Sequence, residues 1–541
     1  MIAGVRGQSL PGVEPRLPEA AGLESLPAVR AAGEPADSGA RLAERLESVA
    51  LVTWADGERV DLAAGLRASR DLPVPAAGRL ARRLSGWIGG PLDEGVLAAL
   101  ADEILVHYDR HGFPVVFLEV PEQDLRGGEL RLVVEIGRYG EIGVSRPRHG
   151  DPARVDRGMR LRTGEMVRRE EIDAQLAWFG RTAFRRPRLF VSPGAEPASA
   201  DLLIAFEESR PWRVNVGYEN SGPDLLGRDR FLLGVSGWTP QEHLLAWQSV
   251  IGAPASSLVA NALRWEIPFH ASHQVLQIDA AYAEVRSRYA VAGIPVESTG
   301  TSWSLAARQR LPLPALGAWR QQWHAGFEVK GTDQFLLFGG GSAAPGEVVF
   351  VHATLGHELS RQWENGAASM ESGLWISPGD LGGNNSDAAF RAYDPRADAT
   401  YALARISGQG WWSPGGDWQL RLRGVAQAAD SRLLPAEQFA VGGYQTVRGA
   451  GEREFIADAG WQASLELLSP LLTPRDGCAF RLLGFLDHAA LESRGGPSSS
   501  LSGAGIGLRM QVGGRLDLRF DHGWRLDDSE QASHAGVILT F

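Results

Sequence analysis

Past Pro211 the chain alternates between apolar and polar residues, in one short stretch after another, down to Phe541. A period of two is the mark of a strand with two unlike faces. In residues 515–521, Leu516, Leu518 and Phe520 share one face, while Arg515, Asp517, Arg519 and Asp521 share the other. Trp418, Leu420 and Leu422 alternate with Gln419, Arg421 and Arg423; Ala325, Phe327 and Val329 with His324, Glu328 and Lys330; and Trp461, Ala463, Leu465 and Leu467 with Gln462, Ser464 and Glu466. Sixteen candidate strands begin near residues 212, 229, 243, 256, 275, 300, 319, 347, 366, 399, 416, 456, 478, 501, 514 and 534. A soluble sandwich or propeller would need a second layer over every apolar stripe. A closed barrel with lipid outside and a polar lumen inside needs none.

The alternation resolves a tension in the composition. Hydrophobic residues make up 44% of the 541, yet no run of about 18 of them exists, which excludes a membrane-spanning helix but not a membrane barrel. A membrane strand takes about 9 to 11 residues, so residues 212–541 leave roughly ten for each connection. The even strand count and an aromatic last residue, with Val537, Leu539 and Phe541 on one parity, agree with such a barrel. Trp363, Trp375, Trp411, Trp412 and Trp524 fall near predicted strand ends, where interfacial aromatic belts or ordinary packing both place tryptophan.

Ahead of the barrel the texture differs. Residues 1–48 are rich in Ala, Gly, Pro, Glu and Arg and read as a linker or mobile segment with a short helix around 40–49. No apolar h-region of a secretory signal is visible in it. Leu97, Leu100, Ile104 and Tyr108 then form a helical stripe, followed by Gly112 and strands over 115–120 and 130–136. A second unit follows, with a strand over 142–144, a stripe of Ile172, Leu176 and Phe179, and strands over 188–191 and 202–207. The expected domains are therefore 1–48, two α+β modules at 49–138 and 139–208, and a barrel at 209–541.

Charge and chemistry exclude more than they assign. The net charge of −11 offers no basic field for nucleic acid. Lys330 is the only lysine, which removes a P-loop or a Ser-Lys pair elsewhere, and Cys478 is the only cysteine, which removes a disulfide framework and a cysteine zinc site. No nucleophile elbow, His-Glu-x-x-His or EF-hand occurs, and Gly339-Gly340-Gly341 reads as a loop and not a phosphate cradle. No catalysis, cofactor or metal is expected.

Three motifs carry a resemblance. Pro121-Glu122-Gln123, with Leu125 and Gly128-Glu129-Leu130-Arg131-Leu132 after it and Gly112-Phe113-Pro114 before it, resembles the POTRA module of the two-partner secretion transporters, the TpsB proteins of the haemolysin secretion/activation type. Gly442-Gly443-Tyr444-Gln445-Thr446-Val447-Arg448-Gly449 is similar to the Val-Arg-Gly-aromatic signature on the inward-folded loop of POTRA-plus-barrel transporters. Phe485-Leu486-Asp487 is similar to the Phe-x-Asp-x-Gly signature on a facing strand. Ala450 stands where an aromatic is usual and Ala489 where glycine is usual.

The resemblance implies two POTRA modules followed by a 16-stranded antiparallel transmembrane β-barrel with an inward-folded loop at 430–454. It implies a loop lock in which Arg448, beside Gly449, pairs with Asp487 near Phe485; from the residues alone, a cap on an exposed loop and a wet lumen carboxylate fit as well. Pro121, Glu122 and Gln123 read equally as a plain turn, and the exposed sheet edges of the modules are better placed to take up an unfolded strand. The function implied is an outer-membrane pore, monomeric, embedded in lipid, with its modules in the periplasm, that secretes an exoprotein driven by folding outside. A barrel-assembly insertase and a passive porin or adhesin barrel are the alternatives.

Overall fold

Strand-forming residues with two unlike faces must close on themselves or be covered, and here they close. The computed structural model describes residues 41–541 apart from 56–57, 64, 256, 292–293, 339–340 and 344–345. The chain divides into two units, one ending at Ser209 and one running from Arg210 to Phe541.

In the first unit, Ser48–Val52 is the central strand of a five-stranded sheet and runs parallel to both neighbours, Leu66–Ser69 and Glu129–Ile136. Helices Ala77–Leu84 and Glu94–Arg110 cover one face, burying Leu80, Leu84, Leu100, Ile104 and Tyr108 against Val49, Leu51, Leu130 and Val134. Asp93 starts the longer helix by accepting the N–H of Val96 at 2.8 Å. The helix expected around 40–49 is instead two strands, Arg41–Ala43 and Ser48–Val52. Val49, Ala50, Leu51 and Val52 are buried without a break, and a helix would expose part of that run. The linker reading of 1–48 fails for 41–48, and its residues 1–40 lie outside the described residues.

A second, three-stranded sheet holds Ser199–Glu208 between Arg138–Val144, parallel, and Arg185–Pro193, antiparallel. Helix Arg169–Phe179 lays Ile172, Leu176 and Phe179 on it, with the Phe179 and Phe206 rings 5.4 Å apart. Arg185 and Glu208 pair at 2.8 Å with both side chains buried.

The second unit is a closed antiparallel barrel of sixteen long strands. These are Trp212–Glu219 (β1), Arg230–Trp238 (β2), Leu244–Gly252 (β3), Leu258–Phe269 (β4), Gln274–Val291 (β5), Ile294–Leu316 (β6), Trp319–Phe338 (β7), Val348–Trp363 (β8), Gly366–Pro378 (β9), Thr400–Gly415 (β10), Trp418–Ala429 (β11), Ala459–Leu468 (β12), Cys478–Glu492 (β13), Ser498–Val512 (β14), Leu516–Arg525 (β15) and Gln531–Thr540 (β16). Two short return strands, Gly341–Ala343 and Leu472–Arg475, pair beside β7 and β13. Closure is the pairing of β1 with β16, from Asn215 opposite Thr540 to Glu219 opposite Gly536.

The barrel is inside out relative to a soluble protein. On β7, Phe327 is 68% exposed while its neighbour Glu328 is 3% exposed; on β13, Leu486 is 57% exposed and Asp487 3%. Apolar side chains therefore face outward and polar ones line the lumen, the pattern of a barrel built for a bilayer. Trp363, Trp412 and Trp524 share that exposed face. Trp375 does not: it lies on the lumen parity and packs on an internal apolar cluster. Trp411 has the opposite parity from Trp412.

Connections at the end where β1 begins are short, among them 317–318, 364–365, 416–417 and 513–515, while the opposite end carries the long ones, 379–399 and 430–458. β5, β6 and β7 run 18, 23 and 20 residues, about twice what a bilayer needs, and so project beyond it. The reading of Gly339 and Gly340 as loop falls outside the described residues.

Outward and inward positions predict opposite tolerances. Phe327→Arg, at the middle of β7, should destabilise the liposome-embedded barrel by about 2 to 4 kcal/mol, read from its denaturant midpoint. Gln409→Arg, on the lumen parity of β10, should leave the midpoint nearly unchanged.

Candidate functional site: the lumen loop

The connection between β11 and β12, residues 430–458, folds into the lumen. Its base is a two-strand ladder of Phe439–Val441 with Phe455–Ala457. Asp458, just after the ladder, is buried and gathers both ends: Oδ1 accepts from the N–H of Leu433 at 2.9 Å and the Gln438 amide at 3.1 Å, and Oδ2 from Arg432 at 2.9 Å and the N–H of Arg494 at 2.8 Å. Lys330, the chain's single lysine, reaches in from β7 and ion-pairs with Glu437.

At the tip, Arg448 is 1% exposed, although arginine is among the residues least often buried. Its Nε donates to Asp487 Oδ2 at 2.8 Å and its Nη2 to Asp487 Oδ1 at 2.8 Å, a two-pronged pair. Its backbone N–H adds a third bond to the same carboxylate at 3.1 Å. Nη1 donates to Glu466 at 2.6 Å and Nη2 also to Ser464 Oγ at 3.0 Å, with Asp521 at 3.6 Å. The Phe485 ring lies 3.5 Å from the guanidinium carbon, so one face of the cation meets a π-system. Burial opposes the charge, but the bonds to Asp487 outweigh it and hold the guanidinium ionised.

A flat contact needs bare backbone on both sides. Gly449 has φ +104°, and a Cβ there would lie 2.9 Å from the backbone N of Arg525. On the wall, a Cβ at Gly523 would lie 2.6 Å from the carbonyl carbon of Arg448, and one at Gly503 2.3 Å from its oxygen. The tip therefore presses backbone to backbone against β14 and β15, as only glycine allows. A second cation, Arg519, sits 4.1 Å over the Tyr444 ring and pairs with Glu219 at 2.5 Å.

The two departures from the expected motifs share one place. Ala450 and Ala489 belong to a single buried cluster with Phe439, Val441, Val447, Leu491 and Leu501. The loop flank is thus packed by aliphatic side chains although no aromatic stands at 450.

A further plug covers the mouth on the long-loop side. Ser386 caps helix Asp387–Tyr393 in the 379–399 connection, and Phe390 packs with Phe350, Tyr401, Leu433 and Leu434. Arg432 links the two loops, donating Nε to Asp394 and Nη1 to Asp458, both at 2.9 Å. The N–H of Arg396 and the Arg432 guanidinium hold the Asp394 carboxyl down at about 2, so this link stays charged at any ordinary pH.

Of the positions singled out in the sequence, Arg448, Gly449, Phe485 and Asp487 meet at one point. Pro121, Glu122 and Gln123 lie elsewhere, in the first unit. There Gln123 mimics a strand: its Oε1 accepts from the N–H of Arg131 and its Nε2 donates to the Arg131 carbonyl, both at 2.8 Å. Glu122 is exposed. Ser464, Glu466 and Asp521 carried the lumen parity in the sequence, but only the register, Ser464 opposite Asp487 and Asp521 opposite Gly507, brings them to the arginine. Gly503 and Gly523 gave no signal at all, being two among 66 glycines.

Comparison with known proteins agrees with this architecture. The family described as haemolysin secretion/activation protein ShlB/FhaC/HecB matches residues 352–510, and the ShlB-type POTRA domain matches residues 73–137. The heme/hemopexin transporter protein HuxB of Haemophilus influenzae is 24% identical over 170 residues, 31% of this chain and 29% of that protein's length. Among solved structures, CdiB from Escherichia coli aligns over 95% of this chain and 93% of its own, with TM-score 0.70 and 17% identity. CdiB from Acinetobacter baumannii aligns over 95% and 94%, with TM-score 0.63 and 14% identity. The barrel lies in the outer membrane and the POTRA portion in the periplasm. Over residues 352–510 and 73–137 the chain is thus similar to the haemolysin secretion/activation proteins of the ShlB/FhaC/HecB type, and it joins a POTRA domain to a 16-stranded barrel.

Proposed function

We propose that this protein is the translocation pore of a two-partner secretion system, which takes an unfolded exoprotein from the periplasm and passes it through the barrel to the cell surface. The observation that carries the reading is a loop tip seated in the barrel on one buried, multiply bonded arginine, a concentrated and breakable anchor that a permanent plug would not need. Both sheet-and-helix modules, 49–138 and 139–208, act as POTRA modules in this reading, and their free sheet edges take up the client by strand addition. The barrel works as a monomer in lipid, makes no use of nucleic acid, and performs no catalysis; folding of the client outside supplies the direction.

Arg448, Gly449, Asp487 and Phe485 then form the lock. Removing the guanidinium leaves Asp487 buried and unpaired, and breaking a buried pair on one side costs about 3 to 5 kcal/mol. The loop would leave the wall in a large share of molecules. Gating also requires the 379–399 plug to move, because Arg432 ties it to the lock loop.

Two measurements check this. Arg448→Ala should lower secretion of its exoprotein client at least tenfold and change the conductance pattern in planar bilayers; unchanged secretion and conductance would sink the lock. Gly523→Ala keeps every charge but places a methyl against the Arg448 backbone, so amide exchange over 439–457 should quicken by at least tenfold while exchange in β1–β4 stays as it was.

A further inference from the structure

Away from the lock, one group of lumen side chains on β7, β8 and β9 has the composition of a metal site. His324, Glu358 and Glu371 offer an imidazole nitrogen and two carboxylate oxygens that all lie within 4.8 Å of one another. His324 is 4% exposed, and neither of its ring nitrogens has a hydrogen bond. Its nearest polar neighbour is Glu371, at 3.5 Å from Nε2. A buried imidazole whose nearest partner is a carboxylate as far off as 3.5 Å is poorly satisfied, which leaves it able to act as a metal ligand.

The backbone is arranged to let it reach. Gly356 on β8 stands opposite His324 on one side and Gly373 on the other. A Cβ at Gly356 would lie 2.2 Å from His324 Nε2. The absence of that side chain lets the ring lie across β8 toward Glu371 on β9. Glu358 and Glu371 are direct cross-strand partners, and like charges in that position repel. Arg310 relieves part of this, donating Nη2 to Glu358 at 2.9 Å, and Gln322 donates to the other oxygen. Each carboxylate oxygen has two lone pairs, so Glu358 keeps an acceptor direction free for a cation. Glu371 has no such donor among the described residues beyond the His324 approach.

We infer that His324, Glu358 and Glu371 bind one divalent transition-metal ion, of which Zn²⁺ is the best probe, with water from the lumen completing the shell. One imidazole and two carboxylates suit a borderline ion such as Zn²⁺, and an incomplete protein shell leaves room for water. Zinc ligands about 2.0 to 2.2 Å from the ion stand roughly 3.3 Å apart, so the 3.5 Å between His324 and Glu371 already fits. Glu358, whose ligand oxygen lies within 4.8 Å of the other two, has to close further on them. Arg310, as a neighbouring cation, weakens the site and makes it exchangeable. Bound metal would cross-link three adjacent strands near the end where β1 begins.

The test uses the full chain in detergent, stripped with EDTA and dialysed against Zn²⁺, with metal counted by emission spectroscopy and affinity read by competition with a coloured chelator. Wild type should hold one Zn²⁺ per chain, and Co²⁺ in its place should give a visible d–d absorption band. His324→Ala and Glu371→Gln should each weaken binding at least tenfold. Heat-dependent mobility in detergent gels shows that each variant is a folded barrel, and Glu371→Gln keeps the shape of the side chain should His324→Ala fail that check. Absence of stoichiometric zinc in wild type, or binding that both folded variants retain, would overturn the site and leave a plain His324–Glu371 contact in its place.

Discussion

The rest of the lumen depends on one desolvated guanidinium. Arg448 is buried to 1% exposure and holds Asp487, Glu466 and Ser464 from two adjacent wall strands while resting on the Phe485 ring. In a low-dielectric site an ion of this kind is tolerated only while its partners are in place. That makes the contact strong when complete and sharply unfavourable when half made. Under the proposed gating, loop and wall would accordingly be either seated or released, with little between them.

The wall is shaped to receive this ion. Gly503 and Gly523 carry no side chain where the loop backbone touches, and Gly449 turns with positive φ so that nothing projects from the loop side. The base is held differently, by neutral and charged bonds spread over Asp458, Gln427, Arg432 and Lys330. A tip whose charge is concentrated on Arg448 and a base bonded at many points would let the tip swing while the base stays. Because Arg432 also holds Asp394 of the 379–399 connection, the mouth plug and the base form one continuous polar network.

Much of this fold was legible because membrane strands obey a simple rule. Each outward residue must be apolar, so alternation survives through all sixteen strands, and most starts were placed within two or three residues; the widest gap is 300 against Ile294, where β6 extends beyond the bilayer and loses the constraint. The segment 48–52 misled because a strand buried on both faces has no period to read, and Val49 to Val52 look equally apolar in either structure. Tryptophan position was ambiguous for a related reason: Trp375 obeys the lumen parity, but an aromatic near a strand end suggests an interfacial belt regardless of side. At the site, Arg448 and Asp487 came from a motif resemblance. Glu466, Asp521 and the seat glycines needed the register, which no local pattern encodes.

The central claim is that Arg448 and Asp487 act as one unit in seating the loop, and a double-mutant cycle tests it most directly. Arg448→Ala, Asp487→Ala and the double variant would be compared with wild type by amide exchange over residues 439–457. The account predicts strong non-additivity, with the double variant no looser than either single one and a coupling of about 2 kcal/mol or more. Effects that add within about 0.5 kcal/mol would contradict it, and would mean the loop is seated by its aliphatic flank and its base alone.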